Sequence, residues 1–217
     1  YGHKDVVQLL MDHSSINNIA YIDITVRDND GLTAFMLACQ KGDKVVVELL
    51  LNHSYIDLNA RAKNGETAFT MACKSGHRDV VQLLLDHSCS IIDLNVRNNL
   101  GHSALILACK NGRTDIVNLM ITSSKKFGID LNSTSCLGYT GFMHACYSAE
   151  WQVVKLIITS SKEFGIDLNA RGHEGYTGFM LACKRGQSYV VKLLINLSIN
   201  FQLHHTLRCP FLICIHP

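Results

Sequence analysis

The sequence predicts an all-α solenoid of stacked helix-turn-helix units with β-hairpin-like fingers between them. Three observations carry that prediction. The phrase G-x-T/S-A/G recurs at Gly31, Gly65, Gly101, Gly138 and Gly175, at intervals of 34, 36, 37 and 37 residues. A cysteine follows each glycine by eight residues, at Cys39, Cys73, Cys109, Cys146 and Cys183. A closing phrase, Ile-Asp-Leu-Asn, recurs at 56–59, 92–95, 129–132 and 166–169. Self-similarity at such a period marks a repeat array, in which one unit cannot bury its own apolar face and stacked neighbours bury it together.

Each element of the unit follows from its residues. Thr33 is placed to cap a short helix whose apolar face is Ala34, Leu37 and Ala38, spaced i, i+3, i+4. Small alanines let a neighbouring helix approach closely. Gly42 ends that helix by accepting a left-handed backbone. A second helix is expected from about Lys44 to Asn52, with Val46, Val47, Leu50 and Leu51 inward. Asn64-Gly65 is a tight-turn signal and places a finger between units. The intervals imply longer loops after the second helix in later units, at Thr122–Gly128 and Thr159–Gly165.

These residues resemble the ankyrin family, whose pattern is G-x-T-P-L-H-x-A-A, then G-H, then V-V-x-L-L-L, then a D-V-N-A close. Gly65-Glu66-Thr67-Ala68-Phe69-Thr70-Met71-Ala72-Cys73 and Gly76-His77-Arg78-Asp79-Val80-Val81-Gln82-Leu83-Leu84-Leu85 match it. The array is expected over residues 1–197, as a half repeat over 1–25 and about five repeats beginning near 31, 65, 101, 138 and 175. Residues 198–217 leave the pattern as an apolar tail. The family's proline is replaced by Ala34, Ala68, Ala104, Gly141 and Gly178, and its histidine by Met36, Thr70, Ile106, Met143 and Met180. Glycine costs about 1 kcal/mol relative to alanine inside a helix. Ala149 also stands at a mid-unit glycine position. An array less stable than the family pattern is therefore expected, weakest in its last two units.

Composition narrows the function. The chain of 217 residues is 47% hydrophobic and 18% charged, with a formal charge of +2. That balance implies no general attraction to nucleic acid. No apolar run reaches the roughly 20 residues of a membrane span. Nine cysteines without paired spacing fit a reducing compartment, so the sequons at Asn52, Asn132 and Asn196 are expected to be unused. The periodic cysteines occupy the family's small buried position and are expected to be inert thiols. Cys209 and Cys214 form no metal-ligand spacing. His13, His53 and His87 recur near the end of the second helix, too far apart for a metal site and placed to favour the helix dipole. Phe35, Phe69, Phe142 and Phe179, with Met36, Met143 and Met180, are expected to pack between repeats. No catalytic motif or phosphate loop is present, so no enzyme activity, cofactor or metal is expected.

The resemblance implies a non-catalytic scaffold that binds another protein through its concave face, as a monomer in the cytoplasm or nucleus. The charge pattern points to an acidic partner segment. Arg27, Arg61, Arg97 and Arg171 recur two residues after Thr25, Asn59, Asn95 and Asn169, with Thr134 interrupting the series. Lys74, Lys110 and Lys184 follow the repeated cysteine, and Arg185 follows Lys184. The family places both sets near the concave groove. Acidic residues such as Glu48, Asp79, Asp86 and Asp115 fall on or near the second helix. The alternative is a solvated face whose arginines pair with local carboxylates such as Asp28, each pair worth little. A second function class is a targeting or substrate-adaptor region of a larger enzyme, ubiquitin ligase or channel, which the half repeat at Tyr1 suggests. The resemblance also implies hydroxylation at the closing asparagines, Asn59, Asn95, Asn132 and Asn169.

Overall fold

In the computed structural model, residues 5, 6, 8, 9, 23–52, 56–87 and 92–200 are described, with side chains to 197. Most of the half repeat, His13, His53, Cys209, Cys214 and the chain beyond 200 lie outside them. Five helix pairs follow in order: α1 (Ala34–Lys41) and α2 (Lys44–Leu51), α3 (Ala68–Ser75) and α4 (Arg78–His87), α5 (Ala104–Lys110) and α6 (Thr114–Phe127), α7 (Gly141–Ser148) and α8 (Trp151–Phe164), α9 (Gly178–Lys184) and α10 (Ser188–Asn200). First helices pack on first helices and second helices on second helices along the stack.

Each first helix starts as its sequence predicts. The hydroxyls of Thr33, Ser103, Thr140 and Thr177 accept hydrogen bonds from the N–H groups of Met36, Ile106, Met143 and Met180 at 3.3–3.4 Å. In the second unit Thr70 completes a reciprocal cap, since Thr67 N–H donates to its hydroxyl at 2.7 Å. Helix α1 ends on Gly42 in the left-handed region, at φ +76°. Ala149 holds the equivalent conformation at φ +65°, alone among the described non-glycine residues. A Cβ there strains the backbone.

The close approach of the first helices depends on small residues. Phe35, Phe69, Phe142 and Phe179 are buried between units, as are Met36 and Met143. Cys39, Cys73, Cys109 and Cys146 are buried, and burial pushes the Cys39 thiol up to about 12. Cys183 departs from the expectation and is exposed. The earlier thiols are covered by the start of the next first helix, and no such helix follows α9 among the described residues. Gly141 and Gly178 have a packing reason as well. A Cβ at Gly141 would lie 2.9 Å from Cys109 Sγ, and one at Gly178 would lie 2.7 Å from the Phe142 ring.

The longer intervals are not loops. Thr122–Phe127 and Thr159–Phe164 continue α6 and α8, each of 14 residues, and Gly128 and Gly165 cap them. Serine and threonine do not break the helix here because their hydroxyls bond back to it. Thr122 donates to Asn118 O at 2.9 Å and Ser124 to Ile121 O at 2.7 Å.

Four polar ladders join the units. Between fingers, the N–H groups of Lys63, Asn99, Cys136 and His173 donate to Asp30, Asn64, Leu100 and Leu137 carbonyls at 2.9–3.0 Å. In the closing phrase, Asp93, Asp130 and Asp167 each fold a turn by accepting from the asparagine two residues on. The N–H groups of the same aspartates donate to the Oδ1 atoms of Asn59, Asn95 and Asn132 in the preceding unit at 2.8–2.9 Å. The closing asparagines are thus rungs between units. A third ladder caps the first helices from the next unit: His77 Nε2 reaches Gln40 O, Arg113 Nε reaches Lys74 O and Gln187 Nε2 reaches Tyr147 O. Glu150 stands at that position in the fourth unit, and the rung is missing there among the described residues. The fourth ladder is the arginine series, described below.

Two substitutions test this packing. Ala149→Gly is expected to stabilise the chain by about 1 kcal/mol in urea unfolding, because it relieves the left-handed strain. Gly141→Ala should fail to deliver the roughly 1 kcal/mol that helix propensity favours. Adding Cys109→Ala should restore it, read as a positive coupling in a double-mutant cycle.

Candidate functional site

Three columns of side chains run along the side where fingers meet first helices. The residue after each opening glycine is Leu32, Glu66, His102, Tyr139 or Tyr176. The residue after each cysteine is Gln40, Lys74, Lys110, Tyr147 or Lys184. Between them, one helical turn earlier, stand Leu37, Met71, Leu107, His144 and Leu181. Helical spacing of three puts the last two columns on one face. Members from units three to five, with Leu100, Leu137, Glu174 and Arg185, line a groove of about 660 Å³.

The eight sequence-selected cations fall into different settings. Arg27 donates from Nη1 to Gly31 O at 3.0 Å and to Arg61 O at 2.7 Å. Arg61 donates to Arg97 O, and Arg171 to Gly175 O at 3.1 Å. These three guanidinium groups therefore bind finger carbonyls. Asp28 does not pair with Arg27, because its Oδ1 accepts from the N–H groups of Asp30 and Leu32. The Arg97 side chain makes no hydrogen bond among the described residues, and Thr134 stands where the next arginine of the series would be. Lys74 is neutralised by Glu66, 4% exposed, at 3.0 Å. Lys110, Lys184 and Arg185 come together on the groove. Lys184 lies 4.2 Å above the Tyr176 ring and 3.1 Å from its hydroxyl, and that hydrogen bond raises its pKa. Arg185 lies 4.4 Å above the Tyr147 ring. Lys110 makes no hydrogen bond or ion pair among the described residues.

His144 departs from its column. Other units place leucine or methionine there, and its imidazole is 7% exposed in the groove lining. Its ring lies 4.9 Å from that of His102 and 5.7 Å from that of Tyr139, both edge-on. Its Nε2 is buried and has no hydrogen-bond partner. Burial, then the nearby His102 and Lys110, push its pKa down to about 4. Burial also lowers His102, with Lys110 adding to the effect. The groove therefore has cations and aromatic rings at its walls and a neutral, unpartnered imidazole beneath.

A family model described as ankyrin repeats, three copies, matches residues 1–62, 53–135, 89–172 and 125–204. The chain is an ankyrin-repeat protein. Ankyrin repeats mediate protein–protein interaction and are typically non-catalytic. No curated protein matches the chain. Among the described residues of this ankyrin stack, no helix is long and apolar enough to cross a membrane, and no histidine, cysteine and carboxylate group is arranged to hold a metal.

The charge pattern brought out Lys110, Lys184 and Arg185 but passed over His102, Tyr139, His144, Tyr147 and Tyr176. A sequence signal for His144 exists: it is the one polar residue in a column otherwise leucine or methionine.

The His144 environment predicts a pH dependence of stability. The unfolded imidazole takes its proton near 6.5 and the folded one near 4. Between those values the unfolded chain binds more protons, so stability is whole above pH 6.5 and falls as pH drops toward 4. His144 is expected to account for up to about 3 kcal/mol of that loss. His144→Leu should remove that part of the loss and stabilise the chain by about 1 kcal/mol at neutral pH, since no buried polar atom is left unpaired. Urea unfolding across this pH range checks both.

Proposed function

We propose that the chain is a non-catalytic binding module that takes an acidic segment of a partner protein along its concave face. One observation carries the reading: Lys110, Lys184 and Arg185 converge on one groove in which Glu174 is the only lining carboxylate among the described residues. Of the other cations, Arg97 contributes next, because its guanidinium is not held by a carbonyl. Arg27, Arg61 and Arg171 add positive potential while joined to the fingers, and Lys74 contributes least beside Glu66. Complementary charge of this kind sets encounter rate and register. The apolar walls at Leu100, Leu137 and Leu181 supply contact area. Free cysteines such as Cys39, Cys73 and Cys109 support a reducing, cytoplasmic setting.

The full chain used as bait in a cell lysate, at low and moderate salt, tests this. A partner with an acidic segment should be retained and should weaken with salt. Reversal of Lys110, Lys184 and Arg185 to glutamate should abolish retention. Reversal of Arg61, Arg97 and Arg171 should weaken it less. Equal retention by the native chain and the first variant would remove the groove from the interface.

A further inference from the structure

We infer that the groove over His144 seats an acidic side chain of the partner, and that this seating is coupled to uptake of a proton by the His144 imidazole. The inference rests on the acidic-segment reading and adds a regulatory property to it.

Three features of the groove support it independently. The first is charge. Lys110 approaches from the third unit and Lys184 and Arg185 from the fifth, against Glu174 as the only lining carboxylate among the described residues. Lys184 and Arg185 are already stacked on aromatic rings, which leaves Lys110 as the cation without a partner among the described residues. The second is the orphan nitrogen. His144 Nε2 is buried without a hydrogen-bond partner, and His144 lines the groove together with Leu100, Leu137, Leu181, Tyr139 and Tyr147. An unsatisfied buried polar atom is a standing penalty that a bound polar group relieves. The third is the company of the imidazole. His102 and Lys110 face it from the third unit, and Tyr139 and Tyr147 from its own. Burial, with repulsion from His102 and Lys110 added to it, holds His144 neutral.

A carboxylate placed beside Lys110 shifts that balance toward the charged imidazole. It offsets the repulsion from Lys110 and His102 and favours the charged form of His144. Linkage is reciprocal, so whatever raises the proton affinity of His144 on binding makes binding tighter as pH falls. The window lies between neutrality and about pH 5.5, because free aspartate side chains stay ionised down to roughly 3.9. The two imidazoles, 4.9 Å apart, do not both take a proton readily, so one uptake event is expected.

The test uses fluorescein-labelled hexa-aspartate and hexa-asparagine peptides with the full chain, by anisotropy from about pH 7.5 to about pH 5.5. Hexa-aspartate should bind at least about threefold tighter at the lower pH, and hexa-asparagine should not bind. His144→Leu should still bind hexa-aspartate but lose that gain. This variant installs the residue found at Leu37, Leu107 and Leu181, so folding should hold. His102→Gln should keep the gain. Without any variant, the imidazole signals of His144 in the native chain should titrate at higher pH when hexa-aspartate is bound. If His144→Leu keeps the full pH gain, or only His102→Gln loses it, the coupling to His144 is overturned while the acidic-segment reading stands. If hexa-aspartate does not bind the native chain at all, that reading falls and takes the coupling with it.

Discussion

The closeness of successive first helices is the constraint on which the structure depends. Alanine or glycine opens each of these helices, and a cysteine sits five residues on. A glycine at 141 leaves no spare room against Cys109 Sγ, which a Cβ would approach to 2.9 Å. Once the helices are this close, the fingers fall within hydrogen-bonding distance of one another, and so do the closing turns. The backbone ladder from Asp30 to His173 keeps step with that helix spacing, unit after unit. The groove follows from the same spacing, since its walls are side chains from three consecutive units.

Much of the fold was legible in the sequence because repetition makes each signal redundant. The threonine caps, the glycine stops and the buried phenylalanines appear in unit after unit, and one weak instance is corrected by its neighbours. The longer intervals of the later units pointed to loops after the second helix, but the added residues extend the helices instead. Their serine and threonine hydroxyls bond to carbonyls of the preceding turn, as Thr122 does to Asn118. Cys183 was misread because it repeats the motif without the neighbour that buries the others.

The functional surface was less legible. A column of like charges in sequence suggested a uniform basic stripe. The structure sorts those charges by what lies across from them. Arg27 and Arg61 meet the carbonyls of the next finger, Lys74 meets Glu66, and Lys110 meets no carboxylate. The arginine pairings cross between units and the Lys74–Glu66 pair joins two columns of one unit, so neither can be read along one column. His144 was missed because periodicity was sought among the cations rather than its interruption among the apolar residues.

The fourth unit gathers several departures from the pattern. Thr134 stands in place of the arginine, Ala149 in place of the glycine, and Glu150 in place of the residue that donates to the preceding helix. The joint to the third unit nevertheless keeps the Cys136–Leu100 and Asp130–Asn95 rungs and adds a Ser103–Ser133 hydrogen bond at 2.9 Å. The groove takes its walls from units three to five, so a ligand seated in it touches three units at once and acts as a splint across two joints.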